Sequence, residues 1–350
     1  MAGVAILLSG CATISWYGQA ARGQIDLMQK REHIADLLAD PDTDEELRRQ
    51  LTLVLEAREF AIEHLGLPDS RSYLRYADLE RDAAVWNVIA APRHQIEPRS
   101  WCYPIVGCLA YRGFFQRDQA QALADRLADE GYDVIVWPAV AYSTLGWFAD
   151  PVLNTMLRWD DASLAGFIFH ELAHEQLFVQ GDTTFNESYA TTVERAGLRQ
   201  WLRARGELER LEQWQRERVV GQALTERMLT TREALAVIYR EAANDPDGLE
   251  RGRAEQFAQL QADIEDLVNA PGGERFRGWR GREINNAHLV LFASYESGVA
   301  AFKQLLAECE QDWQCFHQRS AGLAQLSFES RRRFLAGEVP FVRRESGFQD

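Results

Sequence analysis

The sequence predicts an α+β fold that is mainly helical, built around a small sheet and one strongly apolar helix. Three observations predict it. Apolar residues recur at gaps of three and four over long stretches, both before residue 66 and after residue 206. Runs rich in β-branched and aromatic residues are short and confined to the middle of the chain. The 350 residues are 46% hydrophobic and 26% charged, a globular mix long enough for one large domain or two ordinary ones.

Taken in order, residues 17–65 read as helical. Thr43 and Glu46 form a capping box, Leu47, Leu51, Val54, Ala61 and Leu65 follow at helical spacing, and Gly66 and Pro68 close the segment. Strand patterns follow at 84–89, 101–111 and 133–137, with a helix over 117–130 that ends at Gly131. Residues 161–178 are the most apolar helix candidate. Beyond 206 two charged helices carry thin apolar stripes, Leu224, Met228, Leu235 and Ile238 on one, Phe257, Leu260, Ile264 and Leu267 on the other. Asn244 to Gly248 reads as the turn between them, giving an antiparallel hairpin. A last helix is expected from Asn286 to Glu308, with Phe292, Tyr295, Val299, Phe302 and Leu306 on one face.

Acidic residues number 53 against 38 basic, a formal charge of −15. A surface this acidic repels phosphate backbones, which argues against nucleic acid as a partner. The N-terminus carries an apolar run, Val4 to Leu8, leading into Leu8-Ser9-Gly10-Cys11. This resembles a bacterial lipobox, in which Cys11 receives the lipid. The run is short and no Lys or Arg precedes it, so a true start upstream of Met1 is compatible with it. With Ala12 after the cysteine, the expected location is the outer membrane, facing the periplasm, with the inner membrane as the alternative. The remaining cysteines form two local pairs, and Cys102–Cys108 and Cys309–Cys315 are the expected disulfides in an oxidising compartment. No later stretch is apolar for long enough to span a bilayer.

The chemistry lies in Phe-Ile-Phe-His-Glu-Leu-Ala-His-Glu-Gln-Leu-Phe at 167–178. On a helix, His170 and His174 lie four positions apart on one face and can bind one metal ion together. Glu171 is one step round and can reach a water at the metal without displacing it. That is the arrangement a metallohydrolase needs, with the carboxylate taking the proton of the attacking water. Two histidines on an ordinary core helix are the alternative, but buried ionisable groups are costly without a partner.

After a loop at Gly181-Asp182 comes Asn186-Glu187-Ser188-Tyr189-Ala190. HExxH followed by Asn-Glu-x-aromatic-Ala resembles the gluzincin metallopeptidases, whose second helix supplies a glutamate ligand. The resemblance implies a zincin-like core, one Zn²⁺ per chain, and Glu187 as the third ligand, with Ala190 packing the second helix close to the first. Glu194, two turns along, is the competing ligand. Otherwise Glu194 or Thr191 would bond a ligand histidine and fix its ring. More widely, the chain from about 17 to 335 looks like the bacterial predicted-aminopeptidase family of zinc lipoproteins. The matching stretches are Gln19 to Gln24, Trp101-Cys102 with Gly107-Cys108, Tyr111-Arg112-Gly113, Ala141 to Phe148 with Asp150 to Leu153, and Asn285-Asn286-Ala287. By analogy with zincins, Tyr142 is the first candidate to stabilise the oxyanion, with Tyr189 and Tyr295 behind it. Trp147 and Phe148 are candidates for a side-chain pocket, and Asp150 for a substrate amine.

The expected organisation is therefore a signal and lipobox at 1–11, an N-terminal helical segment at 12–68 and a zincin-like core with the metal site at 69–205. A charged helical hairpin at 206–270 and a C-terminal helical segment at 271–350 complete it. The expected function is zinc-dependent hydrolysis of peptides in the bacterial envelope, as an aminopeptidase. The Gly-x-Met-Glu-Asn signature of better-known gluzincin aminopeptidases is absent, which keeps an endopeptidase as an alternative. A zinc-stabilised, non-catalytic binding lipoprotein is another. The hairpin is a candidate docking arm for an envelope protein. The other histidines, His33, His64, His94, His288 and His317, show no partner in the sequence.

Overall fold

The computed structural model describes residues 2–103, 107–141, 149–292 and 298–338, and for 2–15 the backbone alone. The chain is 64% helical and its sheets have two or three strands, an α+β architecture dominated by helices.

The N-terminal region is broken where a continuous helical stretch was expected. α1 (Ala2–Gln29) runs into β1 (Arg31–His33), then α2 (Ile34–Ala39) and α3 (Glu45–Leu65). The cap of α3 is Asp44, whose carboxylate accepts the N–H groups of Glu46 and Leu47. Thr43, the expected cap, instead donates its hydroxyl to the Leu37 carbonyl at 2.7 Å. A carboxylate at this position adds a favourable charge at the positive end of the helix dipole. Gly66 ends α3 in the left-handed region, φ 65°, as its place in the sequence predicts.

The middle of the chain supplies the strands: β2 (Arg75–Ala77), β3 (Val85–Pro92), β4 (Trp101–Tyr103), β5 (Gly107–Leu109) and β6 (Tyr111–Phe114). After α4 (Arg117–Asp129) come β7 (Tyr132–Ala139) and β8 (Val152–Leu153). β3 is the centre of the order β6-β3-β7 and is antiparallel to both neighbours. Successive residues of a strand face opposite ways, and β3 is covered on both sides. Val88 and Ala90 pack with Ala120, Leu123 and Leu127 of α4, while Ile89 and Ala91 pack with Ala287 and Val290. A second small sheet has the order β1-β2-β8. Cys102 and Cys108 stand opposite each other in the β4–β5 pair and are bonded, as are Cys309 and Cys315.

The main core is helical. α5 (Asp161–Gln176) and α6 (Thr183–Ala204) pack side by side and against α3. Gly197 of α6 makes the approach possible, because a Cβ there would lie 2.5 Å from Leu65 Cδ1 and 3.3 Å from Phe169 Cδ2. α7 (Leu208–Glu241) and α8 (Pro246–Asn269) form the hairpin, and Leu224, Met228, Leu235, Leu260 and Ile264 are buried in one cluster between them. The expected turn at 244–248 is partly helix. Pro246 occupies the first turn of α8, and the Asp245 side chain caps it by accepting the Gly248 N–H at 3.0 Å.

The last helix of the sequence reading corresponds to α9 (Asn286–Phe292) and α10 (Val299–Glu308), with Tyr295 outside the described residues. α11 (Trp313–Ala324) and α12 (Phe328–Leu335) follow. Phe302 and Phe316 from this region pack on Phe185 and Tyr189 of α6, with Tyr189 and Phe316 stacked at 5.6 Å. Arg331 of α12 reaches the Asp182 cap of α6 at 2.6 Å, in a pair whose side chains are 9% and 3% exposed. Removing one member of such a pair strands a buried charge. Arg331→Leu is expected to destabilise the protein by about 3–5 kcal/mol, read as a lower denaturation midpoint in urea.

Candidate metal centre and its cleft

α5 and α6 bring the site together. Asp160 caps α5 by accepting the Ser163 N–H at 3.2 Å, and Asp182 caps α6 by accepting that of Phe185 at 3.2 Å. Asn186 then fixes the turn between the two helices. Its side chain donates to the Val179 carbonyl and accepts from the Val179 N–H, both at 2.8 Å. These two hydrogen bonds to the backbone of one residue tie the start of α6 to the loop and help set the register of Glu187, the next residue.

His170 and His174 lie one turn apart on α5, and their Nε2 atoms are 3.1 Å from each other. The Glu187 carboxylate straddles them, with Oε2 at 3.3 Å from His170 Nε2 and Oε1 at 3.5 Å from His174 Nε2. One ligand atom from each of the three lies within 4.8 Å of the others, the one such group among the described residues. Behind them, Glu194 Oε2 lies 3.1 Å from His170 Nδ1. Thr191 makes no hydrogen bond to either histidine among the described residues. His174 Nδ1 is buried and has no hydrogen-bond partner there.

Burial alone would lower the His170 pKa, but Glu187, Glu194 and the charge of Glu171 outweigh it and raise it to about 10. Burial likewise favours a protonated Glu187, but its bonds to both histidines hold it well below the usual carboxylate range. Three carboxylates thus surround two imidazoles whose Nε2 atoms meet at one point. Such a donor set calls for a cation, and two imidazoles with one carboxylate suit a tetrahedral Zn²⁺ that keeps one open position.

The three residues open onto a cleft of about 880 Å³, which Glu171 also lines. That volume is in the range of ligand-binding clefts. Trp214, Glu217 and Gly221 of α7 and Phe276 from the 3₁₀ segment Gly273–Trp279 form its far wall. The charged hairpin is therefore part of the cleft as well as a candidate docking arm.

Tyr142, Trp147 and Phe148 lie outside the described residues, as does Tyr295. Tyr189 is in the core, with its hydroxyl 2.7 Å from His317 Nδ1. Asp150 is 5% exposed, so it offers no open carboxylate for a substrate amine. Its backbone N–H donates to Ser72 Oγ, and its carbonyl accepts the Tyr73 N–H. The other histidines have structural partners. His317 Nε2 bonds the Leu65 carbonyl, His94 meets Glu250, His288 meets Asn285, His33 meets Arg75, and His64 packs on Phe60.

Two tyrosines near the site carry no assigned role in the sequence reading. Tyr111 lines the cleft from edge strand β6, and its pKa is raised by burial and then by Glu187. An edge strand beside the metal helix was the signal that could have singled it out. Tyr73 is buried in a left-handed conformation, φ 62°. Burial, Glu171, Asp150 and Glu175 push its pKa well above the ordinary value.

Residues 15–335 match the family described as "Putative aminopeptidase", and the chain belongs to that family. No curated protein and no solved structure matches the chain.

Asn186→Ala removes both bonds to Val179 and leaves a half-buried N–H and carbonyl without that partner. The expected cost is about 1–3 kcal/mol, measured by urea denaturation.

Proposed function

We propose that this chain is a zinc-dependent peptidase of the bacterial envelope, acting as an aminopeptidase. The observation that carries the reading is the meeting of His170, His174 and Glu187 at one point, with Glu194 behind His170 and Glu171 on the same cleft wall. His170 Nε2, His174 Nε2 and Glu187 would hold one Zn²⁺ per chain. When bound, the ion polarises a carbonyl and lowers the pKa of a water. Glu171 accepts the proton of the attacking water and later delivers it to the leaving amine. Glu194 accepts the His170 Nδ1–H, which fixes the ring with its Nε2 lone pair toward the metal. An acidic residue in that position also makes the imidazole a stronger donor.

The aminopeptidase part of the reading rests on the family's name. One observation favours an endopeptidase as the second reading. Glu217, a carboxylate in the far wall, is engaged by Gln213 at 2.9 Å and by Arg210 at 3.4 Å, so it does not stand open for a substrate amine. The non-catalytic alternative has no use for Glu171 on the cleft wall.

We place the protein on the outer membrane, facing the periplasm, through lipid at Cys11. No helix among the described residues is long and apolar enough to cross a membrane. An envelope partner on the hairpin belongs to the same proposal. Because α7 walls the cleft, partner binding has to be tested with the hairpin intact.

The test uses the full chain carrying Cys11→Ser, zinc-loaded and incubated with a mixed peptide library beside the same chain with Glu171→Gln. We expect cleavage by the first, and a loss of about 10²–10⁴-fold in the second with one zinc still bound. Cut positions then decide between amino-terminal trimming and internal cleavage. A chain that holds zinc and cleaves nothing would overturn the peptidase reading, and a chain that holds no zinc would overturn the site. Glu194→Gln is expected to weaken zinc binding by about 10–100-fold, measured by competition with a chromogenic chelator.

A further inference from the structure

A second cleft, of about 440 Å³, shares no lining residue with the first. Arg31, Arg71, Arg75, His33, Ser70 and Ser72 are among its walls. The β1–β2 ribbon creates it. Arg31 and His33 are two apart on β1 and so share a face. The antiparallel register sets His33 opposite Arg75 and Arg31 opposite Ala77, which puts Arg75 on that face too. Arg71 joins from the loop before β2.

Like charges gathered across a ladder repel. The carboxylates nearest them are buried Asp150 and Glu175 of the cleft wall. None of the three arginines forms an ion pair among the described residues, although the chain has an acidic excess of 53 to 38. Elsewhere arginines such as Arg49, Arg205 and Arg331 are paired with carboxylates. Burial, followed by the charge of Arg75, lowers the Arg31 pKa, with buried Asp150 working the other way. Glu175 also lines the cleft but makes no ion pair with the arginines.

Two of the cationic side chains are held by hydrogen bonds at the cleft. Arg31 Nε donates to the Met28 carbonyl at 3.2 Å and Nη1 to that of Ala149 at 3.1 Å, and Nη2 makes no hydrogen bond among the described residues. Arg75 Nη2 lies 3.2 Å from His33 Nε2. Ser70 Oγ accepts the Ser72 N–H at 3.1 Å, and Ser72 Oγ accepts the Asp150 N–H at 3.2 Å. Neither hydroxyl donates to an acceptor among the described residues, so each can donate to a ligand.

We propose that this cleft binds a phosphate group, held by Arg31, Arg71 and Arg75 and by the hydroxyls of Ser70 and Ser72. Three guanidiniums and two hydroxyls exceed what one carboxylate can accept, whereas a tetrahedral phosphate offers more oxygens and more charge. Its source is a soluble phosphate monoester or an anionic lipid headgroup. Glu175 in the wall directly follows His174, so the phosphate site and the metal cleft share helix α5.

The experiment titrates the full chain with Cys11→Ser in two arms. In one, inorganic phosphate and glycerol 3-phosphate are added in a calorimeter. In the other, the protein is sedimented with vesicles of phosphatidylcholine, alone or mixed with phosphatidylglycerol. Arg71→Gln and Arg75→Gln are compared with Arg251→Gln, which removes the same charge from an exposed position outside the cleft. We expect each cleft variant to weaken binding by about tenfold or more, the loss of one charge-assisted hydrogen bond, while Arg251→Gln does not. Saturable binding of the soluble phosphates with that pattern identifies a soluble ligand. Binding confined to phosphatidylglycerol vesicles with that pattern identifies a headgroup. Absence of binding in both arms, or equal weakening by Arg251→Gln, overturns the proposal.

Discussion

The short connection from Gln176 to Thr183 is the constraint on which the site depends. α5 carries two histidines on one face, but α6 must come back at one particular register for Glu187 to meet both and for Glu194 to stand behind His170. Asn186 sets that register by bonding both the N–H and the carbonyl of Val179. Asp182 caps the returning helix in the same turn. Close packing of α6 on α3 and α5 at Gly197 then holds the two helices at a fixed separation. A shift of one residue in α6 would swing Glu187 about 100° away from the histidines, since each residue of a helix turns by that angle. Two hydrogen bonds in a loop therefore determine whether three donors converge.

Much of this was legible in the sequence, because it depends on helical spacing. The pentad from His170 to His174 needs only a helix to put both rings on one face. Glu187 as a ligand came from resemblance to a family, which left Glu194 open between ligand and support; its place beside His170 Nδ1 is a matter of tertiary packing. The apolar stripes of the hairpin were equally readable, for Leu224, Met228, Leu260 and Ile264 do face one another. What escaped was anything set by tertiary contact. Thr43 fits a capping box as well as Asp44 does, and only the pull of the Leu37 carbonyl decides between them. Asn244 to Gly248 has the composition of a turn, yet a proline is as much at home in the first turn of a helix.

The cleft itself illustrates the same limit. Tyr111, Trp214 and Phe276 come from a strand, a helix and a 3₁₀ segment far apart in the chain, and no local pattern joins them. The cleft lined by Arg31, Arg71 and Arg75 is similar. Arg31 and Arg75 are unremarkable residues until the ribbon register places them on one face. Asp150 shows the converse, since an acidic residue near an active-site motif looked available for substrate and is in fact buried beside Ser72 and Tyr73.

The pairing of Asp182 with Arg331 spans 149 positions, and it joins the cap of the metal-side helix to a residue near the end of the described chain. During synthesis the histidines and Glu187 emerge long before that arginine does. Until then the Asp182 carboxylate lacks the charge that allows it to be buried, and α6 lacks the aromatic cover of Phe302 and Phe316. The nascent chain therefore carries His170, His174 and Glu187 before these contacts are available to the helix that bears Glu187. A chain cut short before α12 lacks the cation that faces the Asp182 cap.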